Sequence, residues 1–204
     1  MSDALLVLNA GSSSLKFSVF LNQDLPQPVV RGQIEGLTAQ PRFVARNDSA
    51  VISQKEWPPE TQLGHSAAIE FLFAWGRAGA LSGHRIIAVG HRVVHGGTKF
   101  HAPVVINLVT LAELEALIPL APLHQPHNVA AIRAVALMAP NLPQVACFDT
   151  AFHRTQTPCL ILSRVAEKVS GKGLNVLNGL TIGTFGTAGT IRRLAKVKRG
   201  CPRQ

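Results

Sequence analysis

Hydrophobic positions open the chain as an unbroken run, residues 4–8, and resume at residues 17–21 after a polar interval. Two apolar runs flanking a short polar turn predict a hairpin. Residues 29–37 and 42–46 predict two further strands, parted by a turn that ends at Gln40-Pro41. Residues 47–64 are polar and carry Pro58-Pro59, which predicts a surface loop. Residues 66–80 predict a helix whose apolar face is Ile69, Phe71, Leu72, Phe73 and Trp75. Residues 86–94 return to strand character. Thr110 with Glu113 forms a capping-box pattern for a short helix limited by Pro119. Asn128 is the expected cap of a second helix, 129–138, ended by Pro140. Residues 144–148 predict a buried strand that delivers Asp149 at its C-terminal end. Strands mixed with helices in this order predict an α/β domain.

The turn of the first hairpin carries candidate chemistry. It reads Asn9-Ala10-Gly11-Ser12-Ser13-Ser14-Leu15-Lys16. Exposed backbone N–H groups, hydroxyls and an ammonium converge there on a space the size of a phosphate. A decorative hairpin turn explains three serines but gives no reason for Lys16 at the start of the second strand. Ligands in α/β folds usually sit beyond the carboxyl ends of strands. Asn9, Arg92 and Asp149 all fall near such ends. The Arg92 fork can bind a carboxylate or a phosphoryl group at two points. Its neighbours His91 and His95 read either as pocket residues or as hydrogen-bonded core histidines, with the core role preferred for each taken alone.

Composition narrows the compartment and the partners. The chain has 204 residues, 47% of them hydrophobic, enough for one substantial core or for one domain and part of another. The most apolar long stretch, 103–122, contains Glu113, Glu115 and three prolines, which excludes it as a membrane span. The N-terminus carries Asp3 and enters the first strand at once, so no signal peptide is expected. Cys147, Cys159 and Cys201 show neither metal-ligand spacing nor an even framework. The cytoplasm is the expected location. The net charge of +9 is unevenly spread: residues 1–154 hold 11 Lys/Arg against 10 Asp/Glu, and residues 155–204 hold 9 against one. All eight histidines lie at or before His153. That confinement of charge argues against a nucleic-acid-binding domain.

Four stretches together resemble the acetate kinase family: VLNAGSSSLKFSVF at 7–20, GHRVVHGG at 90–97, LAPLHQPHN at 120–128 and FDTAFH at 148–153. They occur in the family's order and at about its spacing. The resemblance implies a ribonuclease H-like, actin-like ATPase domain with a mixed sheet, whose first strand–turn–strand holds nucleotide phosphates. It implies reversible, Mg²⁺-dependent phosphoryl transfer from ATP to acetate, giving ADP and acetyl phosphate. Propionate and butyrate are close alternatives, because one methylene changes discrimination by only about 1–3 kcal/mol. By the same resemblance Arg92 matches the substrate-binding arginine, and His124 an active-site histidine at the phosphoryl group. Asp149 matches the acidic residue at the catalytic centre, and Asn9 a magnesium-site residue. Ser12 and Ser14 match the phosphate-facing hydroxyls, and Lys16 the nucleotide-binding lysine. A carboxylate nucleophile has no proton to remove at neutral pH. Asp149 is therefore expected to orient the site, or to hold Mg²⁺ through water, rather than to act as a strong base. Homodimerisation is common in the family.

The resemblance covers roughly residues 1–154, so a family-like N-terminal domain is expected there, with the second domain missing or incomplete. Recognisable counterparts of the family's second phosphoryl-contacting histidine, second arginine, adenosine loops and late glutamate are not found. Residues 155–204 form a basic tail. Its Gly179–Thr190 segment lacks the Lys-Ser/Thr pair of a phosphate loop, and no aromatic residue interleaves the basic run 191–199. A shifted reading frame or a truncation with a new tail would each give this composition. The alternative function is a non-catalytic remnant that binds phosphate or a partner.

Overall fold

The computed structural model describes residues 1–23 and 28–149. The tail, the Gly179–Thr190 segment, the 191–199 basic run, Cys159, Cys201 and the last part of the FDTAFH stretch lie outside the described residues.

The hairpin is longer than the sequence predicts. Strand β1 runs Ser2–Ala10 and β2 runs Ser14–Leu21, paired antiparallel so that Asn9 sits opposite Lys16. Strands β3 (Pro28–Glu35), β4 (Arg42–Arg46) and β5 (Val51–Glu56) extend the antiparallel half. Strand β5 corrects the expected 47–64 loop. Its side chains are almost all exposed, so no buried alternation marks it. Its pairing with β4 is what holds it. Strand β6 (His84–Val93) joins β1 on the other side in parallel. Strand β8 (Gln144–Phe148) pairs parallel to β6, and the two-residue strand β7 (Val104–Val105), not foreseen from sequence, closes that edge antiparallel. The sheet order is β5-β4-β3-β2-β1-β6-β8-β7, a mixed sheet as the resemblance implies. Strand β1 is buried continuously from Ala4 to Leu8 because it lies at the middle of this sheet.

Three helices connect the strands. Helix α1 spans Gly64–Trp75 and ends in a wider π turn over Gly76–Ala80, where Gly79 adopts a φ of 106°. The helix expected to residue 80 thus runs past Trp75 as this wider turn, with its non-helical residue at Gly79. Helix α2 (Leu108–Ala116) is capped by Asn107, whose side chain accepts from the Thr110 N–H at 2.8 Å. The cap sits three residues before the expected Thr110, and Glu113 pairs with Lys99 instead. Helix α3 (Gln125–Met138) begins at His124, not Asn128, with a proline in its first turn. Proline suits that position, since its missing N–H would be unpaired there anyway.

Helices α1 and α3 pack on each other and on the face of β1 that carries Leu6, Leu8 and Ala10. An aromatic cluster completes this core. Phe43 lies 5.2 Å from Trp75 and 4.9 Å from Phe71 between ring centroids, and Trp57 lies 5.0 Å from Phe71. Leu5, Val7, Phe20, Ala88 and Val145 form a separate cluster on the opposite face. Among the described residues no helix is long and apolar enough to cross a membrane.

Candidate functional site

Side chains alternate between faces along a strand. Leu5, Val7 and Asn9 therefore share one face of β1, and Ala88, Gly90 and Arg92 share one face of β6. The parallel register sets Val7 beside Gly90 and so carries Asn9 and Arg92 to the same corner, at the carboxyl ends of both strands. Strand β8 ends one residue before Asp149, at the same edge.

Three of the expected residues meet there in direct hydrogen bonds. The Arg92 Nε donates to both Asp149 carboxylate oxygens at 3.0 Å, and Nη2 donates to Oδ2 at 2.6 Å. The Nη1 donates to the Asn9 amide oxygen at 3.2 Å. A guanidinium has five N–H groups. These contacts use one on Nε and one on each terminal nitrogen, and among the described residues one on each terminal nitrogen stays without a partner. Both side chains of the ion pair are 38% exposed, so solvent screening keeps its stabilising contribution small. Its effect is to fix the direction of the fork. This pairing was not legible from sequence, where the two residues stand 57 positions apart.

The Gly11–Ser14 turn lies beside this cluster. The Gly11 N–H donates to the Ser14 carbonyl at 2.8 Å and closes the turn, while the Leu37 N–H donates to the Ser13 carbonyl at 3.0 Å. Ser12 is exposed, Ser14 is half-buried, and Lys16 is exposed opposite Asn9. The turn thus presents its hydroxyls and its lysine to solvent next to Arg92, with no hydrogen bond joining them to it among the described residues.

His124 stands exposed at the first residue before α3, away from the direct Arg92 contacts. Asn128, buried in the helix's first turn, ties that end to the site. Its Nδ2 donates to the Ala10 carbonyl at 2.8 Å and its Oδ1 accepts from the Val94 N–H at 3.1 Å. The expected capping residue is instead the clamp that holds α3 to the ends of β1 and β6. His127 stacks on His65, with ring centroids 4.9 Å apart and planes 27° apart, and the His65 Nε2 lies 2.7 Å from the Gly11 carbonyl oxygen. The sequence reading passed over His65, whose only signal was a histidine opening a helix.

His91 and His95 take structural roles. His91 is buried, and burial pushes its imidazole down to about 4, so it is neutral at pH 7. The Gln144 amide satisfies its whole surroundings when its NH₂ donates to His91 Nε2 at 2.7 Å and to the Ile132 carbonyl at 3.2 Å. His95 accepts the Gly97 N–H on Nδ1 at 2.8 Å, bracing a turn in which Gly97 has a φ of 62°.

Asn9 and Asp149 bring hard oxygens of the kind Mg²⁺ binds to this corner, and here those oxygens face the Arg92 guanidinium. Among the described residues there is no group of three or more His, Cys, Asp or Glu side chains that could hold a metal ion. One carboxylate and one amide oxygen are what Mg²⁺ takes when waters and nucleotide phosphates complete its shell.

Comparison with known proteins bears on the fold and the family. A family model described as the acetokinase family matches residues 4–190. An acetate kinase of Rhodopseudomonas palustris is 46% identical over 156 residues, covering 75% of this chain and 39% of that protein. A crystal structure of a propionate kinase from Francisella tularensis superposes with a TM-score of 0.65 at 37% identity, covering 77% of this chain and 39% of the other. The acetate kinase of Porphyromonas gingivalis gives a TM-score of 0.66 at 32% identity, with 76% and 39% covered. The chain thus spans about two-fifths of the length of these relatives. With the family model running over most of its length, the chain belongs to the acetokinase family.

Proposed function

We propose that the protein carries the acetate-binding and phosphate-binding half of a reversible acetate kinase, in which ATP phosphorylates acetate to acetyl phosphate. The observation that carries this reading is the Arg92 guanidinium, held by Asp149 and Asn9 with one N–H free on each terminal nitrogen. A planar fork of that kind suits a carboxylate, and then the phosphoryl group passing to it. Phosphoryl transfer depends mostly on positioning and on neutralising charge.

In this reading Ser12 and Ser14 hold phosphate oxygens through their hydroxyls, and Lys16 meets the phosphates as a point charge. His124, at the start of α3, reaches the transferring phosphoryl group. Asp149 orients Arg92 and would hold Mg²⁺ through water, with the Asn9 amide oxygen as a further contact. The metal would supply charge neutralisation on the nucleotide phosphates. The ion pair to Arg92 supports this orienting role, and a carboxylate substrate offers no proton for a base. Residues 1–154 form the catalytic half-domain in this proposal, and residues 155–204 a basic tail. The cytoplasm is the proposed location. Homodimerisation belongs to the same proposal, and the exposed Leu108, Val109 and Leu137 side chains suit a covering partner surface.

The propionate kinase among the structural relatives favours a second acceptor, since it superposes about as well as the acetate kinase. Calorimetric titration of Mg·ATP, acetate and propionate, followed by trapping of acyl phosphate with hydroxylamine, tests the proposal. Acyl phosphate formation is expected to fall by about 10²–10³-fold in Arg92→Ala, the scale for losing one charge-stabilising donor. Unchanged kcat and KM for acetate in that variant would remove Arg92 from the assignment. A chain that binds neither nucleotide nor carboxylate is instead a non-catalytic remnant.

A further inference from the structure

Two successive carbonyls of the phosphate turn are held from behind by two helices. The Ala10 carbonyl accepts from Asn128 of α3 at 2.8 Å, and the Gly11 carbonyl lies 2.7 Å from Nε2 of His65, in the first turn of α1. A carbonyl oxygen can only accept, so the Nε2 of His65 carries the hydrogen and donates it. The ring is then steadied by the stacked His127 from α3. Burial lowers the pKa of His65 more than the hydrogen bond to Gly11 raises it, so the ring is neutral at pH 7, and the Gly11 contact puts its hydrogen on Nε2.

In a trans peptide the C=O and the following N–H point in opposite directions. Fixing the Gly11 carbonyl toward α1 therefore aims the Ser12 N–H the other way, to the open side of the turn. The Gly11 N–H is already spent on the Ser14 carbonyl. The Ser12 amide is left as the backbone donor whose direction His65 sets.

We propose that His65 is a positioning residue for phosphate, acting through the Gly11 peptide to preorganise the Ser12 N–H. The inference rests on the reading of the Gly11–Ser14 turn as the phosphate site. His65 itself does not touch the phosphate. Preorganised donors bind an anion without an ordering cost at the moment of binding.

Two substitutions separate this role from simple packing. His65→Phe keeps a flat ring to stack on His127 and removes the N–H donor. His65→Gln gives up the ring and restores an amide N–H. In the full chain, Mg²⁺-free tripolyphosphate titration and amide hydrogen exchange at Gly11, whose N–H is bonded to the Ser14 carbonyl, are measured side by side. His65→Phe is expected to weaken tripolyphosphate about tenfold, the scale of one hydrogen bond, and to speed exchange at Gly11. His65→Gln is expected to recover most of both. Nitrogen-15 shifts of the wild-type ring should show hydrogen on Nε2 and a bare Nδ1. Wild-type binding that His65→Phe leaves unchanged, or a ring with its hydrogen on Nδ1, overturns the role of His65. A wild type that binds no tripolyphosphate overturns the phosphate reading of the turn and the role with it.

Discussion

Single residues at this site are defined by what faces them. His91 and Arg92 are adjacent in sequence, yet strand alternation sends one into the core and the other to the corner beside Asn9. The buried one has a consequence for stability. In the unfolded chain His91 titrates near the ordinary value of about 6.5. In the fold it stays neutral down to about 4. Between those values the unfolded state binds the extra proton, so folding stability falls as pH drops from 6.5 to 4 and the loss is then complete. The span corresponds to about 3 kcal/mol. Urea melts of wild type and His91→Gln at several pH values should show the two stability curves converging by roughly that amount over this window. Parallel curves would mean that His91 is solvated or protonated in the native state.

Arg92 belongs to the same scale and behaves differently. Its worth lies in the direction of the fork, which Asp149 sets. Replacing Asp149 with Asn keeps the shape but removes the charge that holds the guanidinium. Carboxylate affinity is expected to fall by about tenfold or more in Asp149→Asn, as a charge-assisted hydrogen bond is stronger than a neutral one. Calorimetry with acetate reads this. Undiminished affinity would show that Arg92 is held by other contacts.

Elements show where packing overrides local pattern. Strand β3 carries Gly32 where β2 places Phe17, and an added Cβ would sit 2.5 Å from the Phe17 ring and 2.6 Å from the Val44 carbonyl oxygen. Phe17 cannot swing away, because its ring centroid lies 5.8 Å from Trp75 and 6.2 Å from Phe43. Gly32→Ala is expected to cost about 1–3 kcal/mol, the usual price of overpacking. Chemical denaturation measures it, and a neutral result would mean that β2 and β3 can part without loss. The start of α3 makes the same point about boundaries. A proline within LHQPHN reads as a loop, but the chain uses it inside the first turn and so brings His124, His127 and Asn128 onto one helix end.

At the scale of the molecule, sheet order sets how firmly each part is held. Strand β1 lies in the middle of the sheet with β2 and β6 on either side, and the helices pack on the β1 face that carries Leu6 and Leu8. Strand β5 closes one edge with its side chains exposed. Hydrogen exchange should therefore be slowest in β1 and β6 and fastest in β5, with the Gly11–Ser14 turn between them. Exchange in β5 as slow as in β1 would contradict this gradient.

The sequence by itself determined the first hairpin, the polar turn with its lysine, and most of the strands and helices. It could do so because strand alternation, turn chemistry and motif spacing are local properties, readable over a few positions. It did not show β5, whose exposed side chains leave no alternating pattern, nor β7, which is only two residues long. It did not show that Arg92 pairs with Asp149, that Asn128 clamps Ala10, or that His65 reaches Gly11. Those contacts join positions 57, 118 and 54 residues apart. Only the tertiary structure decided them, because the register between β1, β6 and β8 and the seating of α1 and α3 are fixed by burial across the whole sheet, which no short stretch of chain encodes.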